Sequence, residues 1–289
     1  MYSRTADKVF DTIVYAVVII AVLVCIIPFL HVIALSLSSN EAVVAQKVSI
    51  LPIGFNLEAY SRIIRDATMI RSLLLTILIT VLFTLLGMFL TVCCAYPLTK
   101  KRLKGRKFMS MICIFTLFFS GGIIPNYILI NNLKLLNSIW SLILPLAFSA
   151  YNMIIIKNFF ANIPESLEES AYLDGCTDVG ILVRIVLPLS APVLATIALF
   201  FAVGRWNTFQ DALFYITKPD LYPLQLKLNL IVSASASTES LGESVGAAQL
   251  VPEVLKAACV MFATLPIVIV YPWLQKYFVS GVMIGAVKG

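Results

Sequence analysis

Six long apolar runs, separated by polar stretches, set the pattern of this chain: Ile13–Leu37, Ser72–Tyr96, Phe108–Ile130, Ile139–Phe160, Ala191–Ile216 and Ala257–Phe278. A helix crossing a bilayer needs about 20 mostly apolar residues, so each run predicts one membrane span. The apolar positions form no single stripe within a run. That is expected of helices surrounded by lipid and protein, whose backbone groups must bond within the helix itself. The first run is long and lacks a small-residue cleavage site, so it predicts a retained span rather than a leader. The pattern predicts an all-α membrane protein, with residues 1–289 forming one six-helix domain.

Composition strengthens this reading. The chain is 60% hydrophobic and 12% charged, whereas a soluble domain is about 45–50% apolar and about 25% charged. The net charge of +6 does not point to nucleic acid, because six basic residues sit in one short loop: Lys100, Lys101, Arg102, Lys104, Arg106 and Lys107. Such clustering is first a topology signal and second a contact for anionic lipid. It predicts a cell-membrane protein with both termini and this loop in the cytoplasm. The cysteines (Cys25, Cys93, Cys94, Cys113, Cys176, Cys259) show no metal-ligand spacing and read as small apolar filler.

The segment between spans four and five, residues 161–190, then lies on the inner face. It cannot lie in lipid. Asn162 is a candidate N-cap, with Pro164 in the first turn. Glu165, Glu168 and Glu169 load the first half, where the helix dipole favours negative charge. Gly175 suits a left-handed C-terminal cap. At 100° per residue Glu165, Glu168, Glu169 and Tyr172 share one face, and Leu167, Ser170, Ala171 and Asp174 share a small-sided other face. Thr177 or Asp178 can cap a second helix running to Pro188. An acidic helix suits an anionic lipid surface poorly, so docking against a protein is the expected use.

The residues Glu169-Ser170-Ala171, Tyr172-Leu173, Asp174-Gly175-Cys176 and Leu187-Pro188 resemble the EAA loop of the membrane subunits of bacterial ABC importers, with Ser170 and Cys176 in place of alanines. Trp206-Asn207-Thr208-Phe209 resembles the Trp-Asn-x-Phe of the maltose-type permease family, and Gly281–Gly289 its glycine-rich ending in Val-Lys-Gly. Phe119–Pro125, Asn131, Leu136 and Asn137 are similar to the subgroup encoded near polysaccharide-degradation genes. The resemblance implies the type I importer fold and an inner-face coupling helix. Its ATPase-coupling residues would be Glu168, Glu169, Ser170, Ala171, Asp174, Gly175, Leu187 and Pro188. It also implies a second homologous permease subunit, two cytoplasmic ABC ATPase subunits and an extracytoplasmic sugar-binding protein. The Gly281–Gly289 tail would reach the ATPases, and the Ser233–Pro252 region would probe the binding protein. The small and polar run Ser233–Thr238 itself predicts a flexible or extended piece.

No G-x-x-x-x-G-K-[S/T] loop is present, so ATP and Mg²⁺ are expected in the partner ATPase and no cofactor in this chain. No catalytic or metal-binding constellation is apparent, and His31 alone reads as a packed or interfacial residue. Polar residues at membrane depth are candidates for a solute path: Asn126, Tyr151, Asn152, Trp206, Asn207 and Gln210. In a carbohydrate path, aromatic faces would pack on sugar rings and amides would bond hydroxyls. The same amides can instead join helices, and Arg205 and Asp211 can serve as interfacial anchors. The expected function is the permease of an oligosaccharide importer; the alternative is an importer of a non-sugar solute such as a peptide or phosphorylated polyol. A transporter driven by an ion gradient would want mid-span acidic residues, which the runs lack.

Overall fold

The computed structural model describes residues 4–240 and 251–286, with side chains placed at 8–233, 251–270 and 272. Its helices are α1 (Arg4–Ser36), α2 (Asn40–Val44), α3 (Glu58–Arg65), α4 (Ala67–Ala95), α5 (Arg106–Phe118), α6 (Ile123–Asn132), α7 (Trp140–Ile143), α8 (Ala150–Ala161), α9 (Glu165–Leu173), α10 (Asp178–Ile181), α11 (Leu187–Leu189), α12 (Ala191–Asn207), α13 (Gln210–Tyr215), α14 (Leu224–Ser240) and α15 (Pro252–Ala286). There is no strand among the described residues. The chain divides into two compact units. One is the chain up to Met69 with Leu228–Leu265; the other is Ile70–Lys227 with the chain from Pro266 on.

In the first unit, α1 exposes apolar side chains along most of its length, from Val9 to Leu30. Bare apolar surface of that extent suits lipid, not water. Its C-terminal end is secured by serines. The Ser38 hydroxyl donates to Ala34 O at 2.6 Å and accepts from Ile53 N at 3.0 Å, while Ser36 and Tyr60 hydroxyls meet at 2.8 Å. His31 donates through Nδ1 to Ser49 O at 2.7 Å, a structural contact as expected.

The second unit holds the broken helices. Among the described residues, three helices are individually long and apolar enough to cross a bilayer, or up to five if each of two bent pairs counts as one span. The predicted third span bends by 113° between α5 and α6. Phe119 is extended there and Gly122 takes φ +85°, so no straight helix can pass. The predicted fourth span is not one helix: α7 ends before Pro145, and Ser149 starts α8 by accepting from Asn152 N at 3.3 Å. With 12 residues α8 is about 18 Å long, short of the roughly 30 Å hydrocarbon layer. The predicted fifth span stops at Asn207, and α13 follows after an extended Thr208. Ser233–Thr238 corrects another expectation: it is helical within α14, not extended. Residues 241–250, half of the Ser233–Pro252 region, lie outside the described residues, as do the last three of the Gly281–Gly289 tail.

Two polar devices close the breaks. Asn137, at φ +57°, accepts through Oδ1 from Thr217 N at 2.7 Å, Thr217 Oγ1 at 3.0 Å and Lys218 N at 3.0 Å. Arg205 and Asp211, expected at the interface, are buried instead; their side chains are 3% and 12% exposed. The guanidinium meets Asp211 through Nη1 at 2.5 Å and Nη2 at 2.9 Å, and donates to Leu142 O at 3.0 Å. Away from water, ends of broken helices need such internal partners. Arg205→Ala leaves the Asp211 carboxylate shielded and unpaired, so it is predicted to destabilise the chain by about 3–5 kcal/mol. Arg205→Leu combined with Asp211→Leu should recover most of that loss, read from unfolding midpoints in detergent.

Candidate functional site

The residues 161–190 segment is built on a core shared with the ends of two longer helices. Tyr96, Leu98, Phe160, Ala171, Ile181 and Val186 are buried in one cluster. Tyr96 and Phe160 meet edge to face at 6.4 Å. Ala171 is 6% exposed and is the one buried residue of α9. It therefore packs inward, not against a partner as the small-sided face suggested.

The helix starts two residues later than its sequence implied. Asn162 closes α8, its Nδ2 donating to Asn158 O at 2.9 Å, and Pro164 occupies the N-cap position of α9. The C-terminal end agrees with expectation. Gly175 has φ +79°, its N–H donates to Tyr172 O at 3.0 Å, and Cys176 N–H donates to Ala171 O at 2.9 Å. This paired closure is a Schellman motif, which requires a left-handed residue at that position. Thr177 then caps the next helix, accepting from Gly180 N at 3.2 Å. A π turn follows over Leu182–Val186, with Leu187 N–H donating to Leu182 O. The wide turn accommodates Pro188, which has no N–H and whose ring crowds the preceding turn. At Ser190 the chain turns by 84° into α12.

The acidic face of α9 is largely taken up by the chain's own basic loop. Lys100 pairs with Glu168, Lys101 with Glu165 at 2.6 Å, and Arg102 with Asp178. Arg102 also donates to the Tyr172 hydroxyl at 2.8 Å, which donates on to Asp178. Lys100 stands 4.1 Å over the Tyr96 ring. The Lys101 ammonium, bonded to its carboxylate, holds Glu165 below the ordinary glutamate range. Its folded value being depressed, this tie is in place at neutral pH and is lost as pH falls through that lowered value. Burial, then the bond to Asp178, pushes the Tyr172 phenol above its ordinary range, so it stays a donor. The two exposed pairs are open to water and salt and contribute little on their own. Lys100–Glu168, with side chains 15% and 18% exposed, is the most shielded.

What remains outward on α9 is Ser166, Leu167, Glu169, Ser170 and Leu173, with Asp174 and Gly175 following. Leu173 is 89% exposed. Of the eight predicted coupling residues, Glu169, Ser170, Asp174, Gly175 and Pro188 face solvent. Glu168 and Ala171 face the chain, and Leu187 packs partly against its core. Sequence reasoning passed over Leu173, whose place on the outward arc follows only once the inward face is known. It also passed over Lys100, Lys101, Arg102 and Asp178, whose signal was two loops of opposite charge.

The six path candidates differ in exposure. Asn152 and Trp206 are buried, whereas Asn126, Tyr151, Asn207 and Gln210 are exposed. Trp206 lines an apolar cleft of about 340 Å³ with Ile77, Thr80, Val81, Leu199 and Pro266, among others, and with none of the other five. Asn207 spends its Nδ2 on Val203 O at 2.9 Å. Among the described residues no group of His, Cys, Asp and Glu could hold a metal ion.

Residues 69–284 match the family described as binding-protein-dependent transport system inner membrane component. A polygalacturonan/rhamnogalacturonan transport system permease protein of Bacillus subtilis, YtcP, is 43% identical over 284 residues, covering 98% of this chain and 99% of its own length. Protein LplC of the same organism is 43% identical over 289 residues, 100% of this chain and 98% of its own. A chain in the crystal structure of a bacterial ABC transporter that imports the acidic polysaccharide alginate superposes with a TM-score of 0.86 at 31% identity. That match covers 96% of this chain and 99% of the other.

A Cβ added to Gly175 would meet nothing within 4 Å, so only backbone strain opposes substitution there. Gly175→Val is predicted to lower stability by about 1–2 kcal/mol, seen as a lower melting midpoint in detergent. Gly175→Asn, whose side chain tolerates the left-handed region, should melt near the parent.

Proposed function

The chain belongs to the family of binding-protein-dependent transport system inner membrane components, and on that premise we propose that it is the permease subunit of an ATP-driven oligosaccharide importer, driven through α9. One observation carries the coupling role: a capped nine-residue helix, anchored along its inward face, holds Leu173 almost fully out in solvent. Exposing a leucine costs about 1.5–3 kcal/mol relative to burying it. A groove on a cytoplasmic ATPase is the surface that would cover it, with Glu169, Ser166 and Ser170 as its polar rim. This chain has no phosphate-cradling loop, so ATP and Mg²⁺ belong to that partner. In this reading the basic loop and both termini face the cytoplasm.

Carbohydrate is the proposed solute because YtcP, named for polygalacturonan and rhamnogalacturonan, aligns along nearly the full length, and because the alginate importer shares the fold. The exposed Asn126, Tyr151, Asn207 and Gln210 would line a path completed by a second, homologous permease. An extracytoplasmic sugar-binding protein would deliver the solute, and the ATPase pair would open the path alternately to each side.

The test is a reconstituted complex with labelled oligogalacturonides outside and ATP inside. ATP-dependent uptake is expected; accumulation of a peptide but of no oligosaccharide would overturn the carbohydrate assignment. Leu173→Asp should insert normally yet release the ATPase from the purified complex and reduce uptake at least tenfold. Full retention of both would remove the docking role of α9.

A further inference from the structure

We infer that the basic loop after α4 is a clamp that makes α9 move as one body with α4 and α5, so that Lys100, Lys101 and Arg102 are positioning residues of coupling; this rests on the docking role proposed for α9. Through the chain itself, α9 connects only backward to α8 and forward through α10 and α11 to α12. Force applied at Leu173 would reach α4 and α5 only through contacts. Those contacts are the packing of Ala171 with Tyr96 and Leu98, the Arg102–Tyr172 hydrogen bond and three ion pairs, on Glu165, Glu168 and Asp178.

The loop is stiff enough to pass a displacement on. Leu98 is buried in the same cluster as Ala171. Thr99 N bonds Tyr96 O at 3.0 Å, Lys100 N bonds Pro97 O at 3.0 Å, and Leu103 N bonds Lys100 O at 3.2 Å. Arg106, the first residue of α5, donates to Thr99 O at 3.2 Å. The clamp therefore joins both helices flanking the loop to the helix that is pushed. Lys100–Glu168 is its main member. It is shielded, so its attraction is less screened than that of the two open pairs, and the Tyr96 ring beneath Lys100 fixes the ammonium in place. Two consequences separate this from a topology signal. A topology signal needs only the sign of the loop, and it is indifferent to an exchange of charge between Lys100 and Glu168 that leaves five other basic residues in place. A clamp needs opposite charges at those two positions, in either order.

The experiment compares Lys100→Glu, Glu168→Lys and the double exchange in the reconstituted complex, reading ATP hydrolysis, oligogalacturonide uptake and retention of the ATPase. Each single variant should keep the ATPase bound and hydrolysing while uptake per ATP falls at least tenfold. The double exchange should return it to within about threefold of the parent, on the measured range for paired charges. Lys100→Arg should stay coupled. Normal uptake per ATP in Lys100→Glu overturns the clamp, as does an assembled double exchange that remains uncoupled. Should Lys100→Glu fail to assemble, Lys100→Met removes the charge without reversing it and is read the same way: uncoupling supports the clamp, normal coupling overturns it. Failure of the docking role is a separate result, because it appears as full ATPase retention by Leu173→Asp.

Discussion

A nine-residue helix is too short to hold its shape in water on its own hydrogen bonds, because isolated helices under about 12–15 residues are marginal. α9 is therefore ordered from outside itself. Ala171 sits in a core made by the ends of α4 and α8, the acidic side chains lie against a basic loop, and Gly175 closes the C-terminus with two backbone bonds. The first two kinds of contact lie on the side of the helix turned toward the chain. What is left over defines the outward surface, and the chain offers Leu173 there with no partner of its own. The proposed docking surface follows from the way the helix is held, since the same contacts that fold it decide which residues stay free.

Breaks in the membrane-length helices form the second theme. Hydrocarbon tolerates no unpaired backbone group, so every interruption must carry its own partners. Asn137 gathers three donors at one, and Arg205 with Asp211 closes another. A buried ion pair is weak evidence for added stability, because desolvation offsets its attraction. Its geometry is better evidence for placement: it ties the end of α12, which carries Trp206 and Asn207, to Asp211 of α13 and the carbonyl of Leu142. The site that meets the solute would then be positioned by charge chemistry that never touches the solute.

Much of this was legible in the sequence, and what was not has a physical reason. The apolar runs were visible because lipid imposes length and hydropathy. The cap at Gly175 was visible because a positive φ has a residue preference. The breaks within the third, fourth and fifth runs were not, because Gly121-Gly122, Pro145 and Thr208 are each tolerated inside apolar sequence and only tertiary contacts decide whether a helix continues. Ala171 was misplaced for a similar reason: Leu167, Ser170 and Asp174 of its expected face do point outward, but Ala171 packs inward. A helical wheel shows which residues share a face but not which face has a neighbour, and the neighbour lies 64 to 76 residues earlier, at Lys100–Arg102. Asn162 looked like an N-cap because asparagine suits helix boundaries, and it does end a helix, the preceding one.

The central claim is that the outward arc of α9 is covered by a cytoplasmic ATPase. A photo-crosslinking amino acid placed at Ser170, which is exposed, and separately at Ile181, which is buried, tests it most directly in intact membranes. The account predicts that the label at Ser170 captures the ATPase subunit in high yield while the label at Ile181 reacts only within this chain. Capture of lipid alone at Ser170, with the ATPase present in the complex, would contradict it.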